Sequence, residues 1–294
     1  MDINSEKPYL TGGKNMKKWM SLLLALVTMV TVLAGCNANS KPSSGEDKSW
    51  QEVEKAGELV LGMDTAFPPM GYKDEQTGEL VGFDLDVATE VCARLGVTLK
   101  KQPINWKTQV NEINNDNVDC LWNGLSKTEG REKTLNLSIP YMKNNQIILV
   151  KVDSEYKNLT DLAGKNLGVQ AGSSAADALD ASTEFKNSLG DIISIDDYSK
   201  AIIEMKNGTI DAIAIDEVVA RYYLTKEPDT YRILMKDDKN VESLAVEDYV
   251  IGFKIGDDAL KAKIEDTLKA MDKDGKLAEI SKKWFGEDVT TIGK

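Results

Sequence analysis

Apolar and polar positions come in blocks along this chain, and the blocks predict a regular succession of elements. Leu59-Val60-Leu61-Gly62-Met63-Asp64 is an apolar run of strand length. Residues 67–72, which include Pro68 and Pro69, cannot be helix and predict a rigid loop. Gln76-Thr77-Gly78-Glu79-Leu80 reads as a turn. After Gly82-Phe83-Asp84, residues Leu85, Ala88, Val91, Cys92 and Leu95 share one helical face, and Gly96 is placed to stop it. A strand is expected over 97–102, ended by Pro103, then a helix over 106–114 and a strand over 118–122. Strand, helix, strand, helix, strand implies a mostly parallel sheet covered by helices.

The pattern restarts after Ser138-Ile139-Pro140-Tyr141. Strands are expected at 146–152, 167–170, 192–195, 212–215, 231–234 and 249–253. Between them lie a helical turn at 159–163 and helices from Ala171-Gly172-Ser173-Ser174 to about Ala181, over 199–207 and over 217–224. Two amphipathic helices, 258–274 and 276–285, close the chain with Gly275 between them. The two halves echo each other. Asn117-Val118-Asp119-Cys120-Leu121-Trp122-Asn123 and Thr209-Ile210-Asp211-Ala212-Ile213-Ala214-Ile215-Asp216 both follow a helix and both run apolar to a polar end. The echo predicts two α/β lobes presenting strand C-terminal ends, where open α/β sheets bind ligands. Facing lobes would set Asn123 and Asp216 across one cleft.

The richest chemistry falls in 119–131. An apolar run breaks at Asn123-Gly124, where the backbone can turn and be approached closely. Ser126 and Thr128 add hydroxyls, and Arg131 adds a planar fork of donors suited to a carboxylate. The stretch reads either as a site for a small carboxylate or as a plain strand-to-helix turn with a surface arginine.

Composition narrows the choices. The chain has 294 residues, 41% hydrophobic and 29% charged, long enough for one large domain or two ordinary ones. It has no histidine, which removes Ser-His-Asp and Cys-His nucleophile pairs and every histidine metal site. Met16-Lys17-Lys18, the apolar run 19–33 and Leu33-Ala34-Gly35-Cys36 form a secretory leader too short to span a bilayer. Met16 is read as the true start, with residues 1–15 an extension. Of three cysteines, Cys92 and Cys120 remain past the leader and read as small buried apolar residues. The net charge is −12; without residues 1–35 it is −14, from 32 bases and 46 acids. Such a chain will not bind nucleic acid through phosphates, and it mildly favours a cationic or zwitterionic ligand over a dianion. Residues 36–49 read as a flexible tether, with a span of about 20 Å.

A set of motifs in order along 50–286 resembles a family. They are Gly62-x-Asp64-x-x-Phe67-x-Pro69, Gly82-Phe83-Asp84-Leu85-Asp86, Trp106, Asp119-x-x-x-x-Gly124-x-Ser126-x-Thr128-x-x-Arg131 and Ser138-x-Pro140-Tyr141. Gly168-Val169-Gln170-x-Gly172-Ser173-Ser174, Asp211-Ala212, Asp216-Glu217-Val218, Asp274-Gly275 and Lys283-Trp284-Phe285-Gly286 complete the series. Together they resemble the polar amino-acid substrate-binding proteins of ATP-driven importers, the extracellular solute-binding proteins of family 3. The resemblance implies a two-lobed, periplasmic-binding-protein-like α/β fold of type II, with the ligand cleft between lobes joined by two hinge strands. Lobe 1 would take 50–143 and 245–290, and lobe 2 would take 144–244.

Roles follow position by position from the resemblance. Arg131 and Ser126 would clamp the α-carboxylate of an amino acid, with the N–H groups of Ser173 and Ser174. Asp216 would pair with the α-ammonium, helped by the Gly124 carbonyl. Phe67 and Trp106 would sandwich the ligand side chain, and Asp64 would touch its polar tip. Asn123 stands where the family has Ser or Ala and either lines the pocket or simply packs. Gln170 stands where some glutamine binders have lysine. Trp122 is expected in the core. The end of the leader resembles a lipobox, which would make Cys36 a lipid anchor to the outer face of a bacterial cell membrane. The implied protein is a monomeric, cofactor-free receptor that hands a polar or cationic L-amino acid, or cystine, to permease subunits. The competing possibilities are an arogenate- or prephenate-dehydrating enzyme on the same scaffold, for which no convincing carboxylate pair is visible, and a sensory or adhesive lipoprotein.

Overall fold

The computed structural model describes residues 46–294; the leader, Cys36 and most of the tether lie outside the described residues. The strands are β1 (Glu58–Met63), β2 (Ala66–Phe67), β3 (Gly71–Lys73), β4 (Leu80–Val81), β5 (Thr98–Pro103), β6 (Cys120–Ser126) and β7 (Asn136–Leu137). They continue with β8 (Met142–Lys151), β9 (Leu167–Gln170), β10 (Ile192–Ile195), β11 (Ala212–Asp216), β12 (Tyr231–Ile233) and β13 (Ser243–Phe253). The main sheet runs β10-β9-β11-β8-β13-β6-β1-β5, with β12 beside β8 and β7 beside β13. β2, β3 and β4 form a small separate sheet around the cis Pro68-Pro69 bond.

The sheet is mixed, not mostly parallel as the alternation of elements suggested. β5, β1 and β6 pair in parallel, and so do β10, β9 and β11. Between these two parallel blocks stand β8 and β13, antiparallel to each other and to their outer neighbours. The reason is topological. A chain that leaves one block through β8 and returns through β13 must run the second strand against the first.

Helix Phe83–Leu95 forms where apolar positions recur at helical spacing, with Leu85, Ala88, Val91 and Cys92 buried. Asp84 and Asp86 occupy its first turn, and Gly96 ends it at φ +76°, a left-handed conformation that favours glycine. The closing helices, Asp258–Lys273 and Lys276–Phe285, return to pack on this helix and on helix Ser49–Ala56. Lys283 Nζ and Trp284 Nε1 both reach Asp86, at 2.6 and 2.7 Å. Cys92 and Cys120 are buried free thiols, and Trp122 is fully buried.

Strands β6, β8 and β13 run well beyond the residue pattern, β8 starting at Met142, four residues before the expected Gln146. β6 does not break at Asn123-Gly124 but runs to Ser126, because Leu125 and Ser126 pair with Val250 and Tyr249 of β13. Gly124 takes φ +60° within the strand, beside a register shift between Val250 and Gly252. β13 begins at Ser243, six residues before the expected start, because backbone pairing with β8 holds its mixed, partly exposed first half. Helix Thr183–Ser188 was also not expected; it buries no side chain and so carries no apolar stripe.

Candidate functional site

β1, β6, β9 and β11 end with their C-termini directed to one region. The residues at or just past these ends are Asp64, Ser126, Gln170 and Asp216. The parallel pairing within each block sets this convergence, and each strand supplies one polar residue where its apolar run ends.

At one end of the site Thr128 caps helix Glu129–Thr134, its Oγ1 accepting the Arg131 N–H at 3.3 Å. The cap fixes the helix so that Arg131 turns inward, where it is only 7% exposed. Its Nη1 donates to the Ser126 carbonyl at 2.7 Å and its Nη2 to the Gly172 carbonyl at 3.2 Å. No carboxylate lies within 4.0 Å of this guanidinium among the described residues. Burial lowers its pKa, while the charges of Asp177, Glu247 and Asp216 act the other way. Across from it, Ser173 caps helix Ser174–Ala181. The Ser173 hydroxyl donates to the Gln170 carbonyl at 2.8 Å and accepts from Ala176 N at 3.2 Å. The Ser173 N–H closes onto the Gln170 carbonyl at 3.3 Å. Ser174 is the first helical residue, so its N–H has no acceptor within the helix.

At the other end lies a buried acidic cluster. Asp216 Oδ1 accepts from Asn144 Nδ2 at 2.7 Å, Gln146 Nε2 at 2.8 Å and Tyr249 Oη at 2.8 Å, while Oδ2 accepts from Tyr198 Oη at 3.1 Å. Glu247 Oε2 accepts from Gln146 Nε2 at 2.9 Å, Ser174 Oγ at 3.1 Å and Asn144 Nδ2 at 3.4 Å. Burial, and then the charge of Glu247, push Asp216 up to about 7. Sequence reasoning missed Glu247, Asn144 and Gln146. The available signal was an acid and two amides, the amides two positions apart and therefore on one strand face, beside fully apolar runs.

The remaining predicted residues make the following contacts. Asp64 Oδ2 accepts from Gln170 Nε2 at 2.5 Å, joining the ends of β1 and β9, and Oδ1 accepts from Ala66 N at 2.9 Å. Burial raises the Asp64 carboxyl above its ordinary range. Phe67 packs its ring against Gly124, where a Cβ would come within 2.5 Å of Cε1, and stands 5.7 Å from the Tyr198 ring. Asn123 Nδ2 donates weakly to the Gly71 carbonyl at 3.4 Å. Trp106 is not brought against Phe67; it packs in a separate buried cluster with Ile113, Val118, Leu121 and Leu125. Gln109, one turn on, reaches the Gly172 carbonyl at 3.0 Å. Gly124 is held by Asp84, whose Oδ2 accepts the Gly124 N–H at 2.7 Å and the Tyr141 hydroxyl at 2.9 Å. Burial raises the Asp84 carboxyl to about 7. Asp84 was part of a motif in the sequence, yet nothing there gave it this supporting role.

Several buried polar atoms gathered here have no hydrogen-bond partner among the described residues: Ser126 Oγ, Asn123 Oδ1, Gln170 Oε1, Gln146 Oε1, Asn144 Oδ1 and Gln109 Oε1. Native interiors leave few such atoms, and their concentration around one guanidinium and three carboxylates marks a place built for a polar guest. Beside Asp64 a groove of about 820 Å³, lined by Thr65, Tyr72, Asp197, Tyr222 and Lys226 among others, leads outward.

Residues 59–287 match the bacterial extracellular solute-binding proteins, family 3. The chain belongs to this family. The arginine-binding extracellular protein ArtP of Bacillus subtilis (strain 168) is 28% identical over 277 residues, which is 92% of this chain and 98% of that protein. The L-cystine-binding protein TcyJ of Escherichia coli (strain K12) is 27% identical over 266 residues, 90% of this chain and 95% of that one. Among solved structures, the substrate-binding protein of an ABC uptake transporter from Streptococcus pneumoniae with bound histidine has a TM-score of 0.78 and 36% identity, covering 84% of this chain and 99% of that one. This family 3 protein thus has the mixed α/β fold of amino-acid-binding proteins, and its relatives are substrate-binding proteins of transporters.

Proposed function

We propose that this family 3 protein captures a polar or cationic L-amino acid, or cystine, between two lobes and delivers it to the permease of an ABC importer. One observation carries the reading: a buried, fully charged arginine with no carboxylate partner among the described residues, set at the ends of converging strands. A buried guanidinium without a counter-charge carries a desolvation cost that a carboxylate relieves, and an amino acid supplies one. Ser126 Oγ, without a partner of its own, and the N–H of Ser174 at a helix start complete the anion end. Asp216 takes the α-ammonium, with the Gly124 carbonyl. Phe67 walls the ligand side chain, and Asp64, with Gln170 and Asn123, meets its polar tip.

The lobes are 50–143 with 245–290, and 144–244, closing about β8 and β13. The protein works as a monomer without cofactor and without chemistry on its ligand. It is held at the outer face of the cell membrane by lipid on Cys36. A thermal-shift screen of the twenty common amino acids and cystine tests the binding, because a ligand that binds only the folded state raises the melting temperature. At least one polar or cationic member should raise it by several degrees. A flat response across the panel, repeated by titration calorimetry, would sink the reading.

A further inference from the structure

We propose that Glu247 is a second ammonium-binding carboxylate, which with Asp216 forms a two-acid pocket for the ligand's α-ammonium on the returning strand β13. The inference rests on the amino-acid-binding reading above and deepens it.

The geometry carries it. Glu247 is 9% exposed and Asp216 2%, and neither has a lysine or arginine within 4.0 Å among the described residues. The two acids share the same two donors, Asn144 Nδ2 and Gln146 Nε2, so they lie side by side. Glu247 uses only Oε2 in these bonds and in the bond from Ser174; Oε1 accepts none from the described residues. Two adjacent buried carboxylates repel, and amide donors soften that repulsion without neutralising it. A cation entering from outside relieves this repulsion more fully. Both amides turn their N–H groups, not their carbonyls, toward the acids in the hydrogen-bond network, so the oxygen-rich shell a metal ion needs is missing. An ammonium, with three donors and no acceptor, fits instead.

The charged and titratable groups facing the pair are Arg131 from helix Glu129–Thr134, Tyr198 from helix Tyr198–Asn207 and Tyr249 from β13. Arg131 holds the other end of the ligand, and the two tyrosines stay protonated, both raised well above their ordinary range by burial. A proton held by Asp216, whose carboxyl burial and the neighbouring Glu247 charge raise to about 7, must leave when ammonium enters. Affinity for an α-amino acid therefore rises between pH 5.5 and 8, and it does so because of the paired charge.

The test is titration calorimetry on wild type and Glu247→Gln across that pH range. The probes are L-arginine, L-histidine and L-glutamine, each matched with the acid that lacks its α-ammonium: 5-guanidinopentanoate, 3-(imidazol-4-yl)propanoate and 5-amino-5-oxopentanoate. For the amino acids that wild type binds, Glu247→Gln should weaken binding about 10- to 100-fold at pH 7.5. It should also move the pH-dependent rise to lower pH, and leave affinity for the matched acid within about threefold. Equal losses for amino acid and matched acid, or wild-type affinity at every pH, would overturn the proposal while leaving amino-acid binding intact. Should Glu247→Gln fail to fold, Glu247→Asp, which keeps the charge but withdraws it by one methylene, is measured the same way. It should show a smaller loss confined to the amino acids, and a loss shared with the matched acids would again overturn the proposal. If wild type binds none of the common amino acids or cystine, the functional reading itself fails, an outcome distinct from the others.

Discussion

At the scale of single residues the site is a set of buried charges that the fold leaves partly unanswered. Arg131 has five N–H donors, of which the protein's own bonds to Ser126 and Gly172 occupy two. Arg131→Ala should weaken ligand binding by at least about 100-fold, roughly 3 kcal/mol, by calorimetry. Arg131→Lys should recover little of this, since an ammonium cannot make the paired fork. Asp84 and Asp216 respond to pH. Both carboxyls are raised to about 7, against an ordinary value of 3.8. Between about pH 4 and pH 7 the folded chain holds protons that the unfolded chain has released, so these two groups stabilise the fold less as pH rises. The melting temperature of the ligand-free protein should therefore carry a falling contribution from pH 5 to 8, and Asp84→Asn should make calorimetric melting less steep in pH. The substitution keeps one acceptor where Asp84 Oδ2 now takes both the Gly124 N–H and the Tyr141 hydroxyl. An unchanged slope would mean that Asp84 is not the group responsible. Arg131, Asp216 and Asp64 were legible in the sequence because each stands at the polar end of an apolar run or in a spaced motif. Glu247 was not, because an acid in a mixed stretch has no distinguishing partner until β8 lies beside it.

At the scale of elements, the continuity of β6 past Gly124 matters most. A strand that stopped at Trp122 would leave Ser126 and Arg131 on a loose loop. Pairing with β13 extends the strand and fixes both. The bulge needs a glycine: φ is +60°, and a Cβ there would stand 2.5 Å from Phe67 Cε1. Gly124→Ala should destabilise by about 2 kcal/mol in urea unfolding and also weaken binding, since the Phe67 ring must move. Unchanged stability with intact binding would show that the ring has room to yield. The helix faces and the parallel blocks were readable from periodicity alone. The crossing strands were not, because Ser243 to Asp248 owes its strand conformation to backbone pairing and not to a buried apolar face.

At the scale of the whole molecule, the two parallel blocks meet across polar contacts that join distant parts of the chain. Asp64 reaches Gln170, and Gln109 and Arg131 both reach the Gly172 carbonyl. Gly172 has φ +74°, and a Cβ on it would lie 3.0 Å from Lys107 Cα. Gly172→Ala should therefore hinder the approach of the halves. Binding should weaken about 10-fold while the ligand-free protein melts within a few degrees of wild type, a combination read by calorimetry and thermal shift on the same samples. Binding as tight as wild type would mean that the halves need not approach this closely. The sequence by itself determined the alternation of elements, the helix stops, the polar strand ends and the family, because these depend on local periodicity and on motifs a few residues long. The tertiary structure alone decided that the sheet is mixed, that Asp84 holds Gly124, and that Glu247 lies beside Asp216. Those facts arise from pairings between residues at least 40 positions apart, and no local pattern of hydrophobic and polar residues encodes which distant strand a chain will meet.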